Sequence, residues 1–501
     1  MNQDYIILME KLKKINAYNM ALVLFQWDNA TAAPKRAIEH TAEAMGILSD
    51  AYYRALTGDD MSALLHRLNS ASDLTPEQHA IVLKTAEMYE EIRLIPADEY
   101  AAYQTLLAKA DGIWQNAKLN NDYASFAPVL KEIIAYAKKF AGYKAQARNY
   151  SGPLYDMALD GYEKGFTTEV LDEFFEKLKA SIVPLVRLAV KNHALVDNCF
   201  NFRRYDIELQ KKISRKLAAH IGFDFDRGVI AESAHPFTTS LHNKDVRITT
   251  AYLENNLESA MFSTIHEGGH ALYEMHIDDA FTCTPAGTAM SMGIHESQSR
   301  LYENNIGRSR AFWEPLYPML KETFPEQLRD VTLEHFVKGI NQCVPGSIRT
   351  EADELTYCLH IMVRYEIEKM IFSQEIDVLD LPGVWNDKYE EYLGLRPQND
   401  SEGILQDIHW AGGSFGYFPS YAIGTAIAAQ IYDHLKKVMP LDQYLAEGTL
   451  TPVSDYLKEH LHRFGASKPT MQLISEMTGE PFNPDYYIQY LQEKYTKLYS
   501  A

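Results

Sequence analysis

Residues 171–185 read LDEFFEKLKASIVPL, and in them Leu171, Phe174, Phe175, Leu178, Ile182 and Leu185 recur at three- and four-residue intervals. That period lines one face of an α-helix. The same spacing runs through almost the whole chain, so the expected fold is mainly α. Thr75, Pro76 and Gln78 supply an N-cap, a first-turn proline and the third member of a capping box, and Pro96 marks the far end of that segment. The clearest exception is HPFTTSLHNKDVRITTAYL, residues 235–253, where Val246 and Ile248 alternate with charged and hydroxyl residues across Asp245–Thr249. A short strand after an Asn/Asp turn follows, and with it a small β element beside the candidate site.

A chain of 501 residues can bury a large core, and no Gly/Ser/Pro linker, low-complexity tract or fixed repeat offers a place to cut it. One unit is expected. Every candidate site residue lies between His235 and Tyr421, which makes residues 1 to about 200 a helical wall or lid and about 201–501 the catalytic region. The net charge of −20 disfavours nucleic acid and anionic membranes as partners. Cys199, Cys283, Cys343 and Cys358 form no CxxC pair and are too few for a disulfide framework. The N-terminus places Asp4 ahead of a short apolar run broken by Glu10 and Lys11, unlike a secretory signal, and no stretch reaches the roughly 20 apolar residues of a spanning helix. The expected location is cytoplasmic.

The run SAMFSTIHEGGHALYEMHI, residues 259–277, carries the chemistry. His266 and His270 stand four residues apart, so on a helix both imidazoles leave one face and reach one ion. Zinc suits neutral imidazole, and a catalytic zinc needs three protein ligands with one position kept for water. Glu267 is then free to take a proton from that water and pass it to the leaving amine. Gly268 and Gly269 each lower helix propensity by close to 1 kcal/mol relative to alanine, which makes sense where backbone must pack closely. For the third ligand Glu296, in GIHESQSRLYENN, is the foremost candidate, with Arg300 one turn on to orient or neutralise carboxylates; His295 and His276 are the rivals.

These motifs resemble, in order, those of the carboxypeptidase Taq family of metallocarboxypeptidases. His235-Pro236-Phe237 is similar to its HPF element, Asp245 to Thr249 to its DxRxT, His266 to His270 to its HExxH, and His295 to Gln298 to its HES(G)Q. Ile348 to Glu354 resembles the IRxEADE stretch and Gly403 to Trp410 the GxxQDxHW stretch, while Gln26-Trp27-Asp28 with Thr31 and Pro34 extends the likeness towards the N-terminus. The resemblance implies a two-lobed helical metallopeptidase with a long central groove, usually a homodimer, which releases single residues from peptide C-termini. It implies His266, His270 and Glu296 as ligands of one Zn²⁺ per chain, and Glu267 as general base. Co²⁺ or Mn²⁺ could replace zinc in that set.

A carboxypeptidase must hold a free C-terminal carboxylate, a task for the planar fork of arginine. Arg349 is the choice the resemblance supports, although Glu351, Asp353 and Glu354 offer it local salt bridges. The resemblance also implies Tyr421 as hydroxyl donor for that carboxylate or for the developing oxyanion, and His235 and His409 could donate to the tetrahedral intermediate or support it from behind. Two rival readings use the same residues: a zinc endopeptidase or oligopeptidase, and a non-catalytic peptide-binding scaffold with a structural zinc.

Overall fold

The computed structural model describes residues 2–500. Residues 171–185 lie in the helix Thr168–Lys191, with the Thr167 side chain capping its first turn through the Val170 N–H. Leu171, Phe174, Phe175, Leu178 and Ile182 are buried as a stripe, and burying each is worth about 1.5–3 kcal/mol. Pro184 sits inside this helix but on its exposed side. The capping box forms as written: the Thr75 N–H donates to Gln78 Oε1 at 3.1 Å and the Gln78 N–H to Thr75 Oγ1 at 3.3 Å, opening the helix Pro76–Arg93.

The strand signal becomes a three-stranded sheet. β1 (Gly228–Glu232) pairs parallel with β3 (Asp245–Thr250), and β2 (Thr238–His242) pairs antiparallel with β3, with an irregularity between Ser240 and His242. Sequence alternation located β3, whereas β1 was missed because its pairing is made with residues that follow a loop. Val246 and Ile248 of β3 pack with Ala218 and Phe223 against Ala271 and Met275 of the helix Leu257–His276, here called the motif helix. That packing fixes the sheet beside the HExxH residues.

Two compact units emerge. One comprises residues 1–93, 198–340 and 430–482, the other 94–197, 341–429 and 483–501. Each draws on chain from both sides of residue 200, because helices distant in sequence supply one another's apolar partners. No helix among the described residues is long and apolar enough to cross a membrane.

Candidate metal centre

The motif helix begins at Asn256, whose side chain accepts from the Ser259 N–H at 3.1 Å. The next site helix, Met292–Arg300, is capped by the Ser291 hydroxyl and runs on into a π-helical turn, Leu301–Ile306. Gly269 explains how closely the two pack. A Cβ there would lie 2.6 Å from the Gln298 carbonyl oxygen and 2.8 Å from Ser299 Cα, so only glycine lets the second backbone approach. At Gly268 an added Cβ would meet the Ile221 Cδ1 methyl instead.

This approach brings His266, His270 and Glu296 together, with one ligand atom from each lying within 4.8 Å of the others. Glu296 Oε2 stands 3.7 Å from His266 Nε2 and 3.4 Å from His270 Nε2. Ligands held about 2.0–2.1 Å from one tetrahedral ion are themselves roughly 3.3–3.4 Å apart, so the set fits a divalent cation. Glu303 Oε2 accepts from His266 Nδ1 at 2.8 Å, which leaves the Nε2 lone pair facing Glu296. His270 is held differently. Its ring stacks on His295 at 4.2 Å between centroids, and its buried Nδ1 has no hydrogen-bond partner among the described residues.

Arg300 carries out the role expected of it, donating from Nε to Glu296 Oε1 at 2.6 Å and from Nη1 to Glu303 Oε2 at 3.2 Å. Ser299 Oγ adds a bond to Glu296 Oε2 at 3.1 Å. Burial opposes ionisation of both acids, yet Arg300 and the imidazoles prevail, holding Glu296 well below the usual range and Glu303 at about 2. Both are anionic at neutral pH, which suits Glu296 to a metal and Glu303 to orienting an imidazole. Burial raises Glu267, against the opposing pull of His266 and of a hydrogen bond from Thr238. The rivals have other partners: His295 Nε2 lies 3.0 Å from Glu274 Oε1, and His276 Nδ1 lies 3.0 Å from Nδ1 of His462, whose Nε2 reaches Gln298 Oε1 at 2.9 Å.

Arg349, Tyr421 and His409 meet in the other unit. Arg349 is 7 % exposed and pairs with a distant acid instead of its sequence neighbours Glu351, Asp353 and Glu354. Its Nε and Nη2 donate to Asp407 Oδ1 at 3.0 and 2.8 Å, and its N–H to Gln406 Oε1 at 2.8 Å. Asp353 instead accepts from the Leu355 and Thr356 N–H groups, and Glu354 pairs with Lys494. Asp407 Oδ2 accepts from the fully buried Arg364 at 2.7 Å. Two guanidiniums around one carboxylate leave the cluster with an excess positive charge. The Tyr421 ring lies 5.2 Å from the Arg349 guanidinium, and its hydroxyl lies 3.3 Å from His409 Nε2. Burial, followed by the charge of Arg349, pushes His409 down to about 4, leaving it neutral at neutral pH. His235 belongs to the unit that carries His266, His270 and Glu296, exposed just ahead of β2.

Sequence reasoning overlooked Glu303, Thr238 and Arg364. Glu303 stands seven residues beyond Glu296, a same-face spacing that was available as a signal; the other two depend on tertiary pairing.

Residues 7–495 match the family model described as carboxypeptidase Taq (M32) metallopeptidase. Carboxypeptidase 1 of Bacillus subtilis (strain 168) is 44% identical over 490 residues, covering 97% of each chain. Thermostable carboxypeptidase 1 of Pyrococcus furiosus is 36% identical over 491 residues, again covering 97% of each. The crystal structure of the M32 carboxypeptidase from Deinococcus radiodurans R1 superposes with a TM-score of 0.96 at 34% identity, covering 100% of both chains. A donor set fit for a divalent metal, set in a fold and sequence shared end to end with these enzymes, makes this chain a metallocarboxypeptidase of the carboxypeptidase Taq (M32) family.

Proposed function

We propose that His266, His270 and Glu296 hold one zinc ion per chain, and that the enzyme releases C-terminal amino acids from peptides bearing a free carboxylate. The observation that carries the reading is the separation of Glu296 Oε2 from the two Nε2 atoms, 3.7 and 3.4 Å, with Glu267 adjacent but outside the set. A bound divalent ion supplies Lewis-acid polarisation of the scissile carbonyl and lowers the pKa of water. Glu267 takes the proton of the attacking water on its carboxylate and hands it to the leaving amine. Glu303 holds His266 in the tautomer that presents Nε2. Arg349, held in register by Asp407 through Nε and Nη2, offers its remaining Nη1–Nη2 edge to the C-terminal carboxylate. Tyr421 donates its hydroxyl to that carboxylate or to the oxyanion, and His409 and His235 donate to the tetrahedral intermediate.

Imidazole and carboxylate ligands suit zinc, with cobalt and manganese as substitutes. The whole chain acts as one enzymatic unit, in a cytoplasmic homodimer whose partners are peptides, with neither nucleic acid nor membrane among them. The test is mass spectrometry of the products from one peptide as free acid and as C-terminal amide, before and after chelation and zinc re-addition. Stepwise loss of C-terminal residues from the acid alone, dependent on metal, is the expected result. Equal cleavage of the amide, or cleavage at internal bonds, would identify an endopeptidase or oligopeptidase instead. Zinc retention without turnover of either peptide would identify a scaffold.

A further inference from the structure

β2 brings one more polar group against the proton carrier. Thr238 Oγ1 stands 2.6 Å from Glu267 Oε2 and 3.1 Å from the Glu267 carbonyl oxygen. A hydroxyl has one proton to give, and the shorter, charge-assisted contact takes it to the carboxylate. Among the described residues Thr238 is the one side chain that donates to Glu267, so Oε1 keeps its lone pairs for another partner.

The donor's own position is tightly determined. Thr238 lies opposite Ile248 in the β2–β3 ladder, and Ile248 is packed with Val246 against Ala271 and Met275 of the motif helix. A β-branched side chain has few χ1 choices, so sheet, helix and hydroxyl form one frame around the carboxylate. Without that anchor, a glutamate has three torsions to explore, and a misplacement of about 1 Å in a catalytic group can lower a rate about a hundredfold.

We propose that Thr238 is a positioning residue for hydrolysis: its hydroxyl anchors Oε2 of Glu267 and thereby aims Oε1 at the attacking water. The inference rests on Glu267 as the proton carrier and adds the group that orients it. A hydroxyl that merely tied strand to helix would affect stability and leave the chemical step untouched.

The test compares Thr238→Val, Thr238→Ser and Glu267→Gln in the zinc-loaded full chain, reading kcat and KM on an N-acylated dipeptide acid, bound zinc and Tm. Valine keeps the shape and removes the donor, so kcat falls by about ten- to a hundredfold while KM and zinc content stay at wild-type values. Serine restores kcat to within about threefold. Should the valine variant not fold, Thr238→Ala against Thr238→Ser gives the same comparison. Wild-type kcat without the hydroxyl, or equal losses with and without it, overturns the proposal. Turnover retained in Glu267→Gln sinks the reading of Glu267 itself. Turnover lost there but intact in Thr238→Val sinks only the role of Thr238.

Discussion

Arg349 and Arg364 grip opposite oxygens of a single carboxylate, Asp407 Oδ1 and Oδ2, each with a contact of 2.7–2.8 Å. All three side chains are at most 9 % exposed. One aspartate cannot neutralise two guanidiniums, so the cluster keeps a charge that a substrate carboxylate can meet.

Removing that carboxylate strands two buried cations. Asp407→Asn is expected to lower stability by about 3–5 kcal/mol, measured by denaturant unfolding. Burial raises the Asp407 pKa, but Arg364 and Arg349 outweigh it and hold the group below its ordinary 3.8. The sign follows from linkage: a depressed carboxyl stabilises the fold above that ordinary value and loses its contribution as pH falls below it. Wild type should therefore lose more stability than the variant as pH falls below about 4, in paired acid-unfolding curves.

Arg349→Lys keeps the charge but breaks the bidentate fork. KM for peptide acids should rise about tenfold or more, in line with one lost charge-assisted hydrogen bond of about 1.5–3 kcal/mol, with zinc content unchanged. Steady-state kinetics together with metal analysis checks both halves.

The two glycines of the motif helix should behave differently. Gly269→Ala drives a Cβ into the backbone at Gln298 and Ser299, so overpacking of about 1–3 kcal/mol and weaker zinc binding are expected. Gly268→Ala meets only the end of the Ile221 side chain, and a helix-propensity gain of close to 1 kcal/mol offsets the contact. Thermal unfolding and a zinc titration of both variants separate the cases.

Glu303→Gln should weaken zinc binding about ten- to a hundredfold, because the charge that orients His266 is lost while the shape is kept. Competition against a chelator of known affinity measures it.

Glu368 gives the opposite pH sign from Asp407. It is buried, accepts from Tyr155 Oη at 2.6 Å and from Trp410 Nε1 and the Gly416 N–H at 2.7 Å, and burial outweighs these bonds to raise its carboxyl to about 7. The folded state then holds a proton that the unfolded chain releases near 4.5, so stability falls as pH rises from there to about 7. Glu368→Gln has no such proton, and its stability relative to wild type should improve between pH 5 and pH 8 in paired unfolding curves.

Local sequence carries what local physics determines. The apolar period of Leu171 to Ile182, the Thr75–Gln78 box and the four-residue spacing of His266 and His270 were all readable, since helices satisfy themselves within a few residues. Glu296 and Arg300 were readable together because they share one helical face. Partners made by tertiary packing were not. Arg349 bypasses acids two to five residues away for Asp407, 58 residues on, and Thr238 meets Glu267 only because β3 lays the sheet against the motif helix. Gly268 and Gly269 signal close backbone packing, but only tertiary structure shows that at Gly269 the backbone coming close is that of the helix delivering Glu296.

The most direct test is zinc content and turnover measured on one preparation of Glu267→Gln. The account predicts one zinc per chain, at wild-type affinity, with hydrolysis of peptide acids abolished. Loss of the metal from that variant, or hydrolysis near the wild-type rate, would contradict it.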